Sequence, residues 1–246
     1  MSIFSWRKAN PAHRSTFTTA LFCVKPDHDT TEPFRRRCNN ESLMLNMTYP
    51  FMNKEIARAL YAALTEDPFY IILENHASPD AGIARQAMLK YMDYSMKEAL
   101  AHGKLCLANN QNHGASLWLK PMDTHLAKTI AKEKKRFLKD HLGQKSLDTY
   151  CQIVGLMSDN AKGVVSDTAW YLSILGVLPD LQGRGLGKEL VLPVLQRLDE
   201  RGISTYLETF TPKNFGFYKH LGFYAAKTVH EPVTGAAYTI MVRDAQ

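Results

Sequence analysis

The clearest periodicity in this chain begins at Asn53. Ile56, Ala59, Leu60, Ala63 and Leu64 recur at the three- and four-residue spacing of a helix with one apolar face, and Asn53 stands where an N-cap belongs. The run "DPFYIILEN" that follows is apolar and aromatic and reads as a turn or helix end. Residues 81–101 resume the helical period, closed near Gly103. "KLCLANN" and "ASLWLK" switch to strand chemistry and read as a pair joined by a short polar link. Residues 122–160 are helical in two pieces. In the first, Leu126, Ile130, Phe137 and Leu138 share one side and lysines occupy the rest. In the second, Leu147, Tyr150, Cys151, Val154 and Met157 line one face, which makes Cys151 a packed thiol rather than a nucleophile.

"TAWYLSILGV" (168–177) is a strongly β-prone strand. A helix from about Gly185 to Arg201 carries Leu186, Leu190, Val194, Leu195 and Leu198 on one face. Pro193 inside it removes a backbone donor and predicts a kink, and Gly202 ends it. "STYLET" is a second strand, "NFGFYKHLGF" a short helix stopped by Gly222, and "FYAAKTVH" and "AAYTIMVRD" close the pattern around "EPVTG". "LMLNMTY" (43–49) is a further candidate strand. No internal repeat and no low-complexity segment occurs.

Length and composition narrow the classes. With 246 residues, 45% of them hydrophobic, the chain suits one large or two small globular domains. No apolar run approaches the ~20 residues that cross a bilayer, so no membrane partner is expected. The net charge of +6 fits either simple solubility or a polyanionic ligand: nucleic acid, acidic membrane or a phosphorylated cofactor. The run from Lys132 to Arg136 has the same two readings, a solvated helix face or an anion site. Cys23, Cys38, Cys106 and Cys151 show no C-x-x-C spacing and suggest reduced thiols. The nine histidines are scattered without H-E-x-x-H, so no metal is expected. The first 26 residues hold Arg7, Lys8, Arg14 and Lys25 and no acid. They read either as an organellar transit peptide or as a loosely packed arm. The expected organisation is an arm over 1–42 and one domain over 43–246, cytoplasmic or imported into an organelle.

The chemistry concentrates in "PDLQGRGLGKEL" (179–190). A Walker A loop needs G-x-x-x-x-G-K-[ST]; here the glycines are one residue too close and Glu189 follows Lys188 where a hydroxyl is required. A Rossmann turn needs G-x-G-x-x-G with an acid about twenty residues on. Glu208 meets the second condition, but Lys188 stands at the third glycine position. What remains is a strand, a glycine turn and a helix start. It reads either as a tight strand-to-helix turn that needs glycine for its geometry, or as a phosphate site: backbone N–H groups and the helix dipole would converge on phosphate, Gly183, Gly185 and Gly187 would allow close approach, and Arg184 and Lys188 would add charge.

Gln182-Gly183-Arg184-Gly185-Leu186-Gly187 follows the Q/R-x-x-G-x-G/A pattern of the GCN5-related N-acetyltransferase (GNAT) superfamily. Strand, turn, helix, strand, then Asn214 and "FY" before "GF" come in that superfamily's order. "GVLPDLQGRGLG", "YLET" and "NFGFYKHLGF" most resemble the puromycin N-acetyltransferase-like group. The resemblance is specific over 170–241 and schematic over 45–120.

This resemblance implies an α/β fold with a mixed, mostly antiparallel sheet, splayed parallel strands, flanking helices, and a helical insertion at about 122–160. It implies acetyl-CoA as co-substrate, lying in a V between Trp170–Val177 and Ser204–Thr209. The pantetheine arm would pair with the backbone of Leu175, Gly176 and Val177, with the Val177 N–H polarising the thioester carbonyl. The pyrophosphate would lie on residues 182–188. Asn214 matches a pantetheine-binding position, with helix capping as its other reading. Tyr218 matches the family's general acid; its other reading is a core tyrosine.

The superfamily often carries a glutamate on the first of the two strands, and 170–177 has no carboxylate. Glu208, on the same strand face as Ser204 and Tyr206, is the candidate base, directly or through water, or else an ion-pair partner. Phe69, Tyr70, Trp118 and Tyr171 are candidates for an aromatic acceptor pocket, or core. The expected reaction is direct acetyl transfer to the amine of a small molecule by a monomer or homodimer, with no nucleic acid partner. A protein or peptide acceptor and a non-catalytic acyl-CoA-binding module are the alternatives.

Overall fold

The structure, a computed structural model, describes residues 49–108 and 112–246. The N-terminal arm, Cys23, Cys38 and nearly all of the 43–49 strand expectation lie outside the described residues.

Three helices come first: α1 (Lys54–Ala63), α2 (Pro68–Ala77) and α3 (Ala81–His102). Each starts at a side-chain cap. Asn53, Asp67 and Asp80 accept from the backbone N–H of Ile56, Phe69 and Ile83, satisfying donors that a helix start leaves free. The stretch read as a turn or helix end is therefore a full helix, α2. Asp67 caps it, and Pro68 at its first position has no N–H to leave unpaired.

Strands β1 (Gly103–Leu107) and β2 (Gly114–Leu119) pair antiparallel as expected. Next comes α4 (Thr124–Ala161), broken at Gly143, where φ 82° and ψ 170° leave helical geometry. The two helices read from the sequence are its two halves. After it come β3 (Trp170–Val177), α5 (Leu186–Asp199), β4 (Thr205–Thr209), α6 (Phe215–His220), β5 (Tyr224–Glu231) and β6 (Ala236–Arg243). α5 runs through Pro193 as one helix.

The sheet order is β1-β2-β3-β4-β6-β5, antiparallel except for the β3–β4 pair. Strand alternation assigns its faces. Ala115 and Leu117 join the core under α1 and α3. Ser116 and Trp118 face α5, where the Ser116 hydroxyl donates to the Leu190 carbonyl and the Trp118 indole N–H donates to Ser116. On β3, Leu172 packs toward α5 and Ile174 toward α1 and α3, although both have even numbers. The inversion comes from a bulge. Leu117 opposes Ile174 and Trp118 opposes Leu172, leaving Ser173 as the extra residue, its hydroxyl bonded to the Leu117 carbonyl at 3.1 Å.

Candidate active site

β3 and β4 pair only at Trp170–Thr205 and Tyr171–Tyr206. Beyond Tyr171 the strands part, so the C-terminal half of β3 has a free backbone edge. Leu178 N–H donates to the His113 carbonyl on the β2 side at 2.8 Å. By strand alternation the Val177 N–H and carbonyl, and those of Leu175, point the other way, into the opening. The Val177 carbonyl is taken by the Gln182 amide at 3.0 Å, tying the glycine turn to the strand end.

A cleft of about 420 Å³ lies there. Its walls include Leu175, Gly176, Val177, Gln182, Gly183, Gly185, Leu186, Gly187, Lys188, Asn214 and Tyr218, so it gathers nearly every residue the sequence nominated for the cofactor. Gly183 and Gly185 have φ of 74° and 85°, backbone that side-chain-bearing residues rarely adopt. Gly185 is the N-cap of α5 and offers no side chain, so the first-turn N–H groups remain available to an anion. Gly187 serves a different purpose, since a Cβ there would press on the Phe217 ring at 3.3 Å. Arg184 is outside the cleft wall; its guanidinium donates to the Asp180 carbonyl at 3.1 Å. Asn214 makes no side-chain cap bond to α6, so of its two readings the capping one fails. Burial raises the Tyr218 phenol above its ordinary range, with Asp67 adding to the effect, so Tyr218 keeps its proton at neutral pH.

A second space of about 110 Å³ lies between the sheet and α2, α3 and α4. Phe69, Tyr70 and Tyr171 line it, as does Glu208 beside Tyr206. Trp118 does not: it is fully buried on the opposite sheet face. Glu208 Oε1 is buried without a hydrogen-bond partner. Desolvation pushes its carboxyl up to about 7, against a hydrogen bond from Tyr171 that lowers it. Its ion-pair reading is not met, because no cation pairs with it among the described residues.

Two contributions escaped sequence reasoning. The lysine-rich region supplies cavity wall: Lys134, Tyr150, Val154, Met157, Ser158 and Ala161 of α4 all border it. Lys134 is 6% exposed and paired with Glu98 at 2.7 Å, so it belongs neither to a solvated face nor to an exposed anion site. The inward positions could have been sought at helical spacing from Phe137 and Leu138, but a lysine among lysines gives no such signal. The other is Asp67, which among the described residues alone lines both cleft and cavity. It accepts from Phe69 N–H at 2.9 Å and lies 3.5 Å from the Thr211 hydroxyl. Burial nevertheless pushes its carboxyl up to about 6. Beside it, Glu66 pairs with Lys213 across the cleft.

A parted parallel strand pair, an anion-receptive helix start and a carboxylate-bearing cavity together form the candidate site. Residues 148–223 match the acetyltransferase (GNAT) family model, from the second half of α4 through α6. The chain is 24% identical over 184 residues to an uncharacterised N-acetyltransferase of Schizosaccharomyces pombe, covering 72% of each protein. In fold it resembles the crystal structure described as histone acetyltransferase HPA2 and related acetyltransferase from Corynebacterium glutamicum, with a TM-score of 0.54, 19% identity, and coverage of 78% of this chain and 90% of that one. It also resembles arylalkylamine N-acetyltransferase 2 from Aedes aegypti, with a TM-score of 0.50, 13% identity, and coverage of 80% and 98%. Over residues 148–223 the chain is thus similar to the acetyltransferase (GNAT) family. Among the described residues no helix is long and apolar enough to cross a membrane.

Proposed function

We propose that this protein is an acetyl-CoA-dependent N-acetyltransferase for a compact small-molecule amine, with 43–246 as its catalytic domain. The observation that carries this reading is the meeting of cleft and cavity at Asp67. Acetyl-CoA occupies the cleft, its pyrophosphate on the α5 start and its arm along Leu175–Val177. The amine enters the cavity. An ammonium there restores charge to Glu208, which burial alone disfavours. The ammonium first passes one proton to the Glu208 carboxylate, which frees the nitrogen lone pair; Asp67, at the threshold, takes the second proton as the nitrogen attacks the thioester carbonyl, which the Val177 N–H polarises. Tyr218 on the cleft side gives its proton to the departing thiolate.

A carboxyl near pH 6 to 7 is well matched to a proton acceptor at neutral pH. The small volume of the cavity, about 110 Å³, favours a compact acceptor over a protein or peptide, which needs a longer groove. Placement in the puromycin N-acetyltransferase-like group rests on "GVLPDLQGRGLG", "YLET" and "NFGFYKHLGF". A cytoplasmic setting, with organellar import through the acid-free arm as the rival, is tested by sequencing the N-terminus of protein made in its own cell.

The function is tested by CoA release from acetyl-CoA against a panel of small amines and lysine peptides. Turnover of small amines above the peptides is expected. Turnover of peptides alone would overturn the acceptor class.

A further inference from the structure

Between Lys132 and Arg136 the chain carries four cations, and one of them turns inward. Lys132 and Arg136 stay exposed, while the Lys134 ammonium sits under the sheet. It bonds Glu98 Oε2 at 2.7 Å, with the rings of Tyr91, Tyr94 and Tyr150 at 5.6 to 5.9 Å. Glu98 and Lys134 come from different helices, α3 and α4, and both border the acceptor cavity.

Stability alone does not account for this pair. Two charges lose their hydration when buried, and apolar residues of similar volume commonly join two helices as well or better. The cavity also holds polar demand that the protein leaves unmet. Ser158 Oγ and Glu208 Oε1 line it, buried and without partners. Glu208 suits an ammonium. Lys134 is a fixed cation elsewhere on the same wall, and an ammonium has three N–H donors, of which Glu98 takes one.

We propose that Lys134, held in place by Glu98, reads the far end of the acceptor. The substrate is a compact primary amine whose other end is a carbonyl-type hydrogen-bond acceptor, a carboxylate or carboxamide, and a second cation is rejected. This rests on the N-acetyltransferase reading above. A carbonyl oxygen completes the Lys134 donors inside the cavity. A second ammonium meets a like charge there, away from screening water.

The test compares kcat/KM, by CoA release, for β-alaninamide, β-alanine and 1,3-diaminopropane. The wild type is expected to prefer the first two by about tenfold or more. In Lys134→Met/Glu98→Leu, which removes both charges and leaves neither unpaired, that preference is expected to fall below about threefold. A wild type that prefers the diamine, or a double variant that folds and keeps the wild-type preference, overturns the proposal. The wild-type comparison decides by itself if the variant fails to fold. Absence of turnover with every amine overturns the N-acetyltransferase reading, and this one with it.

Discussion

Tyr171 of β3 and Tyr206 of β4 are the last residues these parallel strands pair, and their rings stack with centroids 4.7 Å apart at 22°. Beyond this rung the sheet opens. The free edge of β3 faces the cleft, while the two rings and Glu208, two residues beyond Tyr206, face the cavity.

The glycine turn is the first place to test the cofactor reading. Gly185→Glu puts a side chain on left-handed backbone and a negative charge at the α5 start. The strain alone is about 1–2 kcal/mol. Calorimetric titration with acetyl-CoA is expected to show affinity lowered by about tenfold or more. Unchanged affinity would remove the pyrophosphate from this turn.

Asp67→Asn separates chemistry from folding. Asparagine caps helices as well as aspartate, so α2 is expected to persist and the Tm to change little. Asn cannot take a proton. The expected result is a kcat about 10²- to 10⁴-fold lower with acetyl-CoA affinity retained. Full activity would remove Asp67 from the reaction.

Glu208 links activity and stability to pH in opposite directions. Its folded pKa of about 7 stands above the ordinary 4.5. Between those values the folded protein holds a proton that the unfolded chain has lost, so stability falls as pH rises through this window. Glu208→Gln is expected to raise the Tm at pH 8 and leave it nearly unchanged at pH 4. In the wild type, kcat/KM is expected to rise between about pH 6 and pH 7 as Asp67 and Glu208 ionise. Glu208→Gln narrows that rise to the Asp67 limb. A pH profile identical to wild type would show that Glu208 does not contribute.

Gly143 sets the angle between the halves of α4. Its φ of 82° with ψ of 170° lies in a region open essentially to glycine alone. No atom lies within 4 Å of where its Cβ would be, so the constraint is conformational rather than steric. Gly143→Ala is expected to cost about 1–3 kcal/mol in denaturant unfolding. It is also expected to raise KM for the amine more than for acetyl-CoA, because both halves wall the cavity. A loss smaller than about 0.5 kcal/mol would mean that the break relaxes freely.

Tyr218→Phe addresses the leaving group. The phenol is raised by burial and by Asp67, so it is a poor spontaneous acid and a protonated donor at every neutral pH. The expected result is a kcat lowered by about 10²-fold, with the loss shrinking for acyl donors whose thiol is more acidic. Equal loss for all donors would point to packing alone, since Tyr218 also belongs to the core cluster under α5.

The sequence by itself determined the half of this protein that forms the cleft. Residues 175–188 are contiguous, and the order of strand, glycine turn and helix brings the β3 edge and the α5 start together wherever that unit folds. Local chemistry also fixed most elements: helical spacing from Ile56 to Leu64, the two helical pieces within 122–160, and the closing strands. It misread α2, because a run apolar on every side shows no period, and the deciding Asp67-Pro68 start was taken as part of a turn.

The half that forms the cavity was decided only by tertiary structure. Glu98, Lys134 and Glu208 stand far apart in sequence, on α3, α4 and β4. Asp67 gains its place between the two spaces only when the α1–α2 turn meets the loop after β4. Trp118 and Tyr171 look alike as aromatic strand residues, yet they face opposite sides of the sheet. The bulge at Ser173 reverses the facing of β3 beyond it, and no hydrophobic pattern in a strand buried on both sides reveals that extra residue. The cleft is built from backbone close in sequence. The cavity is built from side chains brought together across the core, and one sequence does not pair those residues before the chain folds.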